Sequence, residues 1–289
     1  MISLPGATER PLTGADAARA QALVVEAGWN QVPADWELML RLGCGFGIED
    51  AAGGLIATAL TLPLGERIGW ISMVLVAGHA RRGGLGSHLL RRCVDQLQAS
   101  GRVAGLDASE LGRPLYLALG FRDLYRLDRV VLDGAHFPAT GAPPGVVLAP
   151  LGDGEGMTEA IAWDREISGF ERGELLRDLQ RRMPQCAWVA RRGDRIAGYA
   201  LARNGRRATQ LGPVLAEDAE TAALLAATAA RSAGTPVFID VPVAQTGFVE
   251  WLRRCGATVQ RGFVRMLLET DAPFDRIEQI YAIAGPELG

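Results

Sequence analysis

Arg81-Arg82-Gly83-Gly84-Leu85-Gly86-Ser87 puts two guanidiniums and three glycines into seven residues and includes no lysine. The run before it, Ile71-Ser72-Met73-Val74-Leu75-Val76, reads as a buried strand, and Ser87-His88-Leu89-Leu90-Arg91-Arg92-Cys93-Val94 has helical spacing. The loop therefore opens a helix, where unpaired N–H groups and the positive end of the helix dipole converge. Glycines there let the backbone come close to an anion, so the chemistry on offer is pyrophosphate binding. A nucleotide P-loop needs a lysine after its last glycine, and a dinucleotide fingerprint needs a third glycine three residues on; these positions hold Ser87 and Leu89. The bland alternative is an ordinary strand-to-helix turn.

A second cluster follows. Leu106-Asp107-Ala108-Ser109 ends a strand-like stretch, and Arg113-Pro114-Leu115-Tyr116-Leu117-Ala118-Leu119-Gly120-Phe121 reads as a short helix stopped by Gly120. Tyr116 has a titratable hydroxyl on that helix, and Asp107 stands at the end of the strand before it. Tyr116 reads either as a proton donor or as a core aromatic with a wet hydroxyl. Asp107 reads either as a general base or as an Asx cap for the next turn.

The spacing Arg81-x-x-Gly84-x-Gly86 after a strand resembles the acyl-CoA loop of the GNAT superfamily of N-acyltransferases, and Tyr116 stands four residues before the Gly120-Phe121 pair, as that family's tyrosine does. The resemblance implies acetyl-CoA as co-substrate, held at Arg81, Arg82, Gly83, Gly84, Leu85, Gly86 and Ser87. It implies that main-chain groups of Val74, Leu75 and Val76 pair with the pantetheine arm and that one of their N–H groups polarises the thioester. It further implies Tyr116 as the acid that protonates the departing thiolate, and direct attack by an amine in a ternary complex. Asp107 is the best-placed carboxylate for the base.

The elements that must position these residues form two similar series. Gly120-Phe121 runs to Arg129-Val130-Val131-Leu132, and Gly256-Ala257 runs to Arg265-Met266-Leu267-Leu268 at the same internal spacing. Trp29-Asn30 with Trp36 is echoed by Trp163-Asp164 with Phe170, and Gly54-Leu55-Ile56-Ala57 by Asp194-Arg195-Ile196-Ala197. Each series reads helices, antiparallel strands, a central helix, a strand, a helix and a final strand. The expected fold is α/β (α+β), with two tandem GNAT-like domains, each built on a mixed, mainly antiparallel sheet flanked by helices. Glycine and proline place a linker at 136–145, between a catalytic domain at 1–135 and a degenerate one at 146–289. In the second series Ala216-Glu217-Asp218-Ala219-Glu220 replaces the glycine loop and Leu252 stands where Tyr116 would be. Carboxylates there repel a pyrophosphate, so the second domain is expected to wall the acceptor side or to serve the structure.

Composition narrows the class. With 289 residues, 48% of them hydrophobic, the chain can bury two cores, and a formal net charge of −3 argues against a nucleic-acid partner. The basic set Arg181, Arg182, Arg191, Arg192 and Arg195 reads as a solvated face. No apolar run reaches the roughly 18–20 residues that span a bilayer, and the first residues lack a signal pattern, so a cytoplasmic protein without membrane contact is expected. The four cysteines, Cys44, Cys93, Cys186 and Cys255, are scattered and show no metal-ligand spacing, so no metal is expected. Acceptor contacts are expected from Trp29, Asn30 and Trp70, and from Asp164 and Arg172 on the second side. The tail from Tyr281 is apolar and is expected to dock, towards the interface if it follows tandem relatives. The expected function is N-acetyl transfer from acetyl-CoA to a small-molecule amine by a monomer or homodimer; the alternative is a non-catalytic acyl-CoA-binding sensor or regulatory module.

Overall fold

A computed structural model of the chain describes residues 6–133, 137–138, 140–234 and 236–289. The first half runs β1 (Thr8–Leu12), α1 (Ala17–Glu26), α2 (Pro33–Leu42), β2 (Cys44–Glu49), β3 (Leu55–Pro63), β4 (Ile68–Val76), α3 (Leu85–Ala99), β5 (Val103–Ser109), α4 (Arg113–Ala118) and β6 (Phe121–Asp133). The second repeats it with β7 (Val146–Pro150), α5 (Glu155–Ser168), α6 (Gly173–Arg182), β8 (Trp188–Arg192), β9 (Arg195–Arg203), β10 (Thr209–Ala216), α7 (Ala219–Ala233), β11 (Pro236–Pro242), α8 (Thr246–Arg254) and β12 (Thr258–Leu268), and adds a short β13 (Ile280–Ala282). The expected linker at 136–145 falls partly outside the described residues.

Among the described residues all thirteen strands belong to one sheet, in the order β1-β2-β3-β4-β5-β12-β6-β11-β10-β9-β8-β7, with β13 beside β10. Pairing is antiparallel except at β4–β5 and β10–β11. The order exchanges the final strands: β12 lies against β5 of the first half, and β6 lies against β11 of the second. The two exchanged strands also pair with each other along their length, from Thr258 opposite Val131 to Leu268 opposite Phe121. The hydrophobic core beneath the first half accordingly includes Phe170, Leu175, Leu179 and Tyr199 from the second.

Helix termini follow local chemistry. The α2 terminus combines Pro33, whose fixed φ suits the first turn, with a 2.9 Å bond from the Val32 N–H to Asp35 Oδ2. At α7, Asp218 accepts from the Thr221 N–H at 2.8 Å and so consumes its own dipole end. At α3 the N-cap is Gly84 in the left-handed region, φ 75°, with no side-chain cap.

The two halves are joined by buried polar contacts as well as by the sheet. Asp35 Oδ1 accepts from Arg182 at 2.6 Å and Asp35 Oδ2 from Arg203 at 2.7 Å. Arg182 is thus no part of a solvated face: its charge is spent across the interface, whereas Arg191, Arg192 and Arg195 pair with nearby carboxylates on the second half. Cys93, Cys186 and Cys255 are buried, and Cys44 is exposed.

Candidate active site

Strands β4 and β5 pair only from Ile68 to Trp70, opposite Val103 to Gly105. Beyond Gly105, β5 is paired only on its other edge, against β12, with Leu106 opposite Met266 and Asp107 opposite Arg265. This splay leaves the edge of β4 from Ile71 onward without a strand on that side, so main-chain groups there are available to an extended ligand. A bulge deepens the splay: the β3–β4 register shifts between Thr58 and Leu60, and Met73 adopts φ 52°. A non-glycine residue in that region costs about 1–2 kcal/mol, offset in part by the bond from Thr58 Oγ1 to the Met73 carbonyl at 2.9 Å.

A cavity of about 790 Å³ fills the splay. At one end stand Arg81, Arg82, Gly84, Leu85, Gly86 and Ser87, with Val74, Leu75 and Val76 along the side. Gly83 adjoins this set in the same loop. The first N–H of α3 to find a carbonyl is that of His88, bonded to Gly84 O at 2.9 Å. The N–H groups of Leu85, Gly86 and Ser87 precede it, in the turn where a helix supplies no acceptor. A Cβ placed on Gly84 would meet no atom within 4 Å, so the cradle opens on free space. Arg81 donates to the Val76 carbonyl at 3.2 Å and stands 4.0 Å from Glu26, and Arg82 is exposed with φ 66°. The loop residues thus fit a pyrophosphate, through main-chain donors and two nearby cations.

Tyr116 lines the same cavity from α4, next to Gly112 and edge-on to Phe121. Burial pushes its phenol up to about 12, with Cys93 adding a smaller effect in the same direction. It is therefore protonated at neutral pH. Asp107 also lines the cavity, but both its oxygens accept from Arg265, at 2.9 and 2.8 Å. Burial pushes its carboxyl upward against the pull of that guanidinium. Arg265 in turn donates to Tyr125 Oη at 3.0 Å, and Tyr125 donates to Asp275 at 2.6 Å, which closes a buried network.

The expected acceptor residues divide. Trp29 lines the cavity. Asn30 does not: its side chain donates to Ala208 O at 3.0 Å and accepts from the N–H groups of Arg207 and Ala208 at 2.8 and 3.1 Å, clamping the turn between β9 and β10. Trp70 is fully buried beneath the Arg265 guanidinium, 4.7 Å from its ring centre, and its indole N–H donates to Pro286 O at 2.8 Å. Asp164 and Arg172 form a bidentate pair at 3.0 Å inside the second half, joined by Tyr199 and by the main-chain oxygen of Gly289. Their polar atoms are consumed there, away from the cavity.

Other lining residues, Glu287 apart, carried no local signal. Gln31, Arg129, Arg261, Phe263 and Glu287 also line the cavity. All five are separated from the glycine loop by more than forty residues, and the strand exchange brings Arg261 and Phe263 there. Glu287 had one hint: it is the single charged residue between Tyr281 and Gly289.

The equivalent splay in the second half is filled by the chain itself. Strands β10 and β11 pair from Thr209 to Leu211, and beyond that point β13 lies on β10, with Val214 opposite Ala282. The Ile283 N–H then reaches Asp240 O on β11 at 3.0 Å. From this filled cleft the tail crosses to the first half, where Pro286 and Glu287 line the cavity.

Comparison with known families meets this geometry on both halves. A model described as an acetyltransferase (GNAT) family matches residues 23–121, and one described as an acetyltransferase (GNAT) domain matches residues 160–282. The chain is a tandem member of the GNAT superfamily. It is 29% identical over 237 residues to holothin acyltransferase of a Pseudoalteromonas strain, covering 81% of this chain and 78% of that protein. A solved structure of a candidate acetyltransferase from Pyrococcus horikoshii shares its fold with a TM-score of 0.80 at 19% identity, over 99% of this chain and 97% of that one. A tandem GNAT protein from the clavulanic acid biosynthesis pathway gives a TM-score of 0.66 at 15% identity, over 92% and 99%. Membership supports acyl transfer as the reaction class. Among the described residues no helix is long and apolar enough to cross a membrane.

Proposed function

We propose that the protein is an acetyl-CoA-dependent N-acetyltransferase acting on a small-molecule amine, with the donor bound in the first half. The observation that carries this reading is that one cavity is lined by the glycine loop, the free edge of β4 and Tyr116. A binding module needs the first two alone. A half-buried, protonated phenol beside them is what departure of a thiolate requires. The relative named as an acyltransferase, similar over most of its length, supports the same reaction class.

Acetyl-CoA supplies an activated acyl group as a thioester. The loop from Arg81 to Ser87 holds its pyrophosphate. Main-chain groups of Val74, Leu75 and Val76 take the pantetheine arm like an added strand, and one N–H there polarises the carbonyl as negative charge develops. Tyr116 holds the proton that the sulfur needs as the C–S bond breaks. Asp107, with both oxygens engaged, serves this site by fixing Arg265 and the β5–β12 seam, and the nitrogen gives its proton to water or to another wall residue. The remaining domain assignments, a catalytic half at 1–135 and a wall-forming half at 146–289, belong to this proposal.

The test is thiol release from acetyl-CoA over a panel of primary amines, with the acetylated product weighed by mass spectrometry. The expected result is stoichiometric thiol and amide. Tight acetyl-CoA binding with no thiol release across the panel would favour the sensor reading instead.

A further inference from the structure

The lining of this cavity includes residues with polar atoms left unpaired among the described residues. Gln31 Oε1, Arg261 Nε and Glu287 Oε2 are buried and have no hydrogen-bond partner among the described residues. All three residues line the cavity. Gln31 and Glu287 are 4% and 3% exposed. An unpaired buried polar atom costs about 1–3 kcal/mol, more where charge is involved, so three of them on residues that line one cavity point to a ligand that satisfies them together.

Each is held in place by contacts of its own. Glu287 is oriented by Arg203, which accepts no freedom of its own because Asp35 holds it at 2.7 Å, and the neighbouring Pro286 is pinned by Trp70 at 2.8 Å. Gln31 is anchored through its main-chain oxygen, which accepts from Gln21 Nε2 at 2.8 Å. Arg261 lies with its guanidinium carbon 5.1 Å from the Phe263 ring centre. Burial, and then the like charge of Arg129, hold Arg261 below the usual arginine range, while Asp240 and Glu287 pull the other way. Arg129 cannot share an anion easily, since Asp240 takes it bidentately at 2.8 and 2.7 Å.

The donor and acceptor balance defines the ligand. Gln31 Oε1 and Glu287 Oε2 accept only, and Arg261 donates only. A primary amine or ammonium supplies hydrogens to the first two. A carboxylate on the same molecule supplies oxygens to the third, where a planar guanidinium matches it well. Resting on the acetyl-transfer reading above, we propose that Gln31, Glu287 and Arg261 form the acceptor subsite and that the acceptor is a small amine carrying a carboxylate, of the amino-acid class. A diamine would leave Arg261 facing a second cation. A purely apolar amine would leave Arg261 unpaired.

The test compares amino-carboxylates with their decarboxylated amines and with a diamine of similar length, all with acetyl-CoA. The expected kcat/KM ratio of acid to decarboxylated amine is about 10²-fold or more, because a site built to bind a polar group rejects the analogue lacking it. Arg261→Gln should bring that ratio close to one through KM, and Arg261→Lys should restore part of it. Glu287→Gln should raise KM for every amine in the panel. A ratio near one in the wild type, or preference for the diamine, overturns the proposal. If no amine releases thiol, the acetyl-transfer reading fails separately, and calorimetry with the amino-carboxylates and acetyl-CoA-loaded protein then decides the subsite. Binding that Arg261→Gln abolishes supports the subsite; no binding overturns it.

Discussion

Arg265 faces Asp107 directly across the β5–β12 ladder, and its guanidinium grips both carboxylate oxygens. Arg129 faces Asp240 across β6–β11 in the same way. One pair is the image of the other under exchange of the two halves, and each joins the final strand of one half to the fifth strand of its neighbour. The exchanged strands are therefore fastened by charge at two matching points, both almost fully buried.

Breaking one fastening should unfold the protein more readily than deleting it. Asp240→Ala leaves the Arg129 cation buried without its partner and should lower stability by about 3–5 kcal/mol. Replacing both, Arg129→Met with Asp240→Leu, should recover most of that loss. Denaturant unfolding of the variants measures it; a single variant within 1 kcal/mol of wild type would show that the pair does not hold the seam.

Donor binding should depend on the absence of charge at Gly84. Gly84→Asn keeps a residue tolerated in the left-handed region and adds no charge, so it should lose little affinity for acetyl-CoA. Gly84→Asp has the same shape and a carboxylate where the pyrophosphate should lie, and should weaken binding at least tenfold further. Calorimetry of the two side by side is the check, and equal affinities would remove the pyrophosphate from this loop.

Stoichiometry should be one donor per chain. The second splay already holds β13 against β10, and the α7 terminus is capped by Asp218. Titration with acetyl-CoA that saturates at two equivalents would show that the tail leaves its cleft.

The pH profile should reflect the burial of Tyr116. The phenol is active protonated, so its contribution is complete below its pKa and is lost as pH rises through it. With that pKa at about 12, turnover should show no decline assigned to this group between pH 7 and about 10, where an ordinary phenol begins to ionise. Tyr116→Phe should retain donor affinity and reduce turnover ~10²-fold. A decline centred near pH 10 that vanishes in the Phe variant would contradict the upward shift.

What could be read from the chain alone was local. The glycine loop, the strand before it, the helix after it and the Tyr116 spacing each depend on residues within a dozen positions, and hydrophobic period and turn chemistry encode contacts at that range. The internal repeat was legible for a related reason, since Arg129 and Arg265 stand at equal distances from Gly120 and Gly256. Tertiary structure decided the rest. Nothing near Asp107 announces that Arg265, 158 residues away, will occupy both its oxygens. Nothing near Asn30 shows that its amide will be spent on the turn at Ala208 rather than on a ligand. Strand exchange sets these partners, because a β-ladder joins backbones without regard to their separation in sequence, and side chains on neighbouring strands meet only once the register is chosen. The same holds for the wall of Gln31, Arg261 and Glu287: each is an unremarkable polar residue in its own segment, and only the folded sheet and the crossing tail bring the three to one cavity.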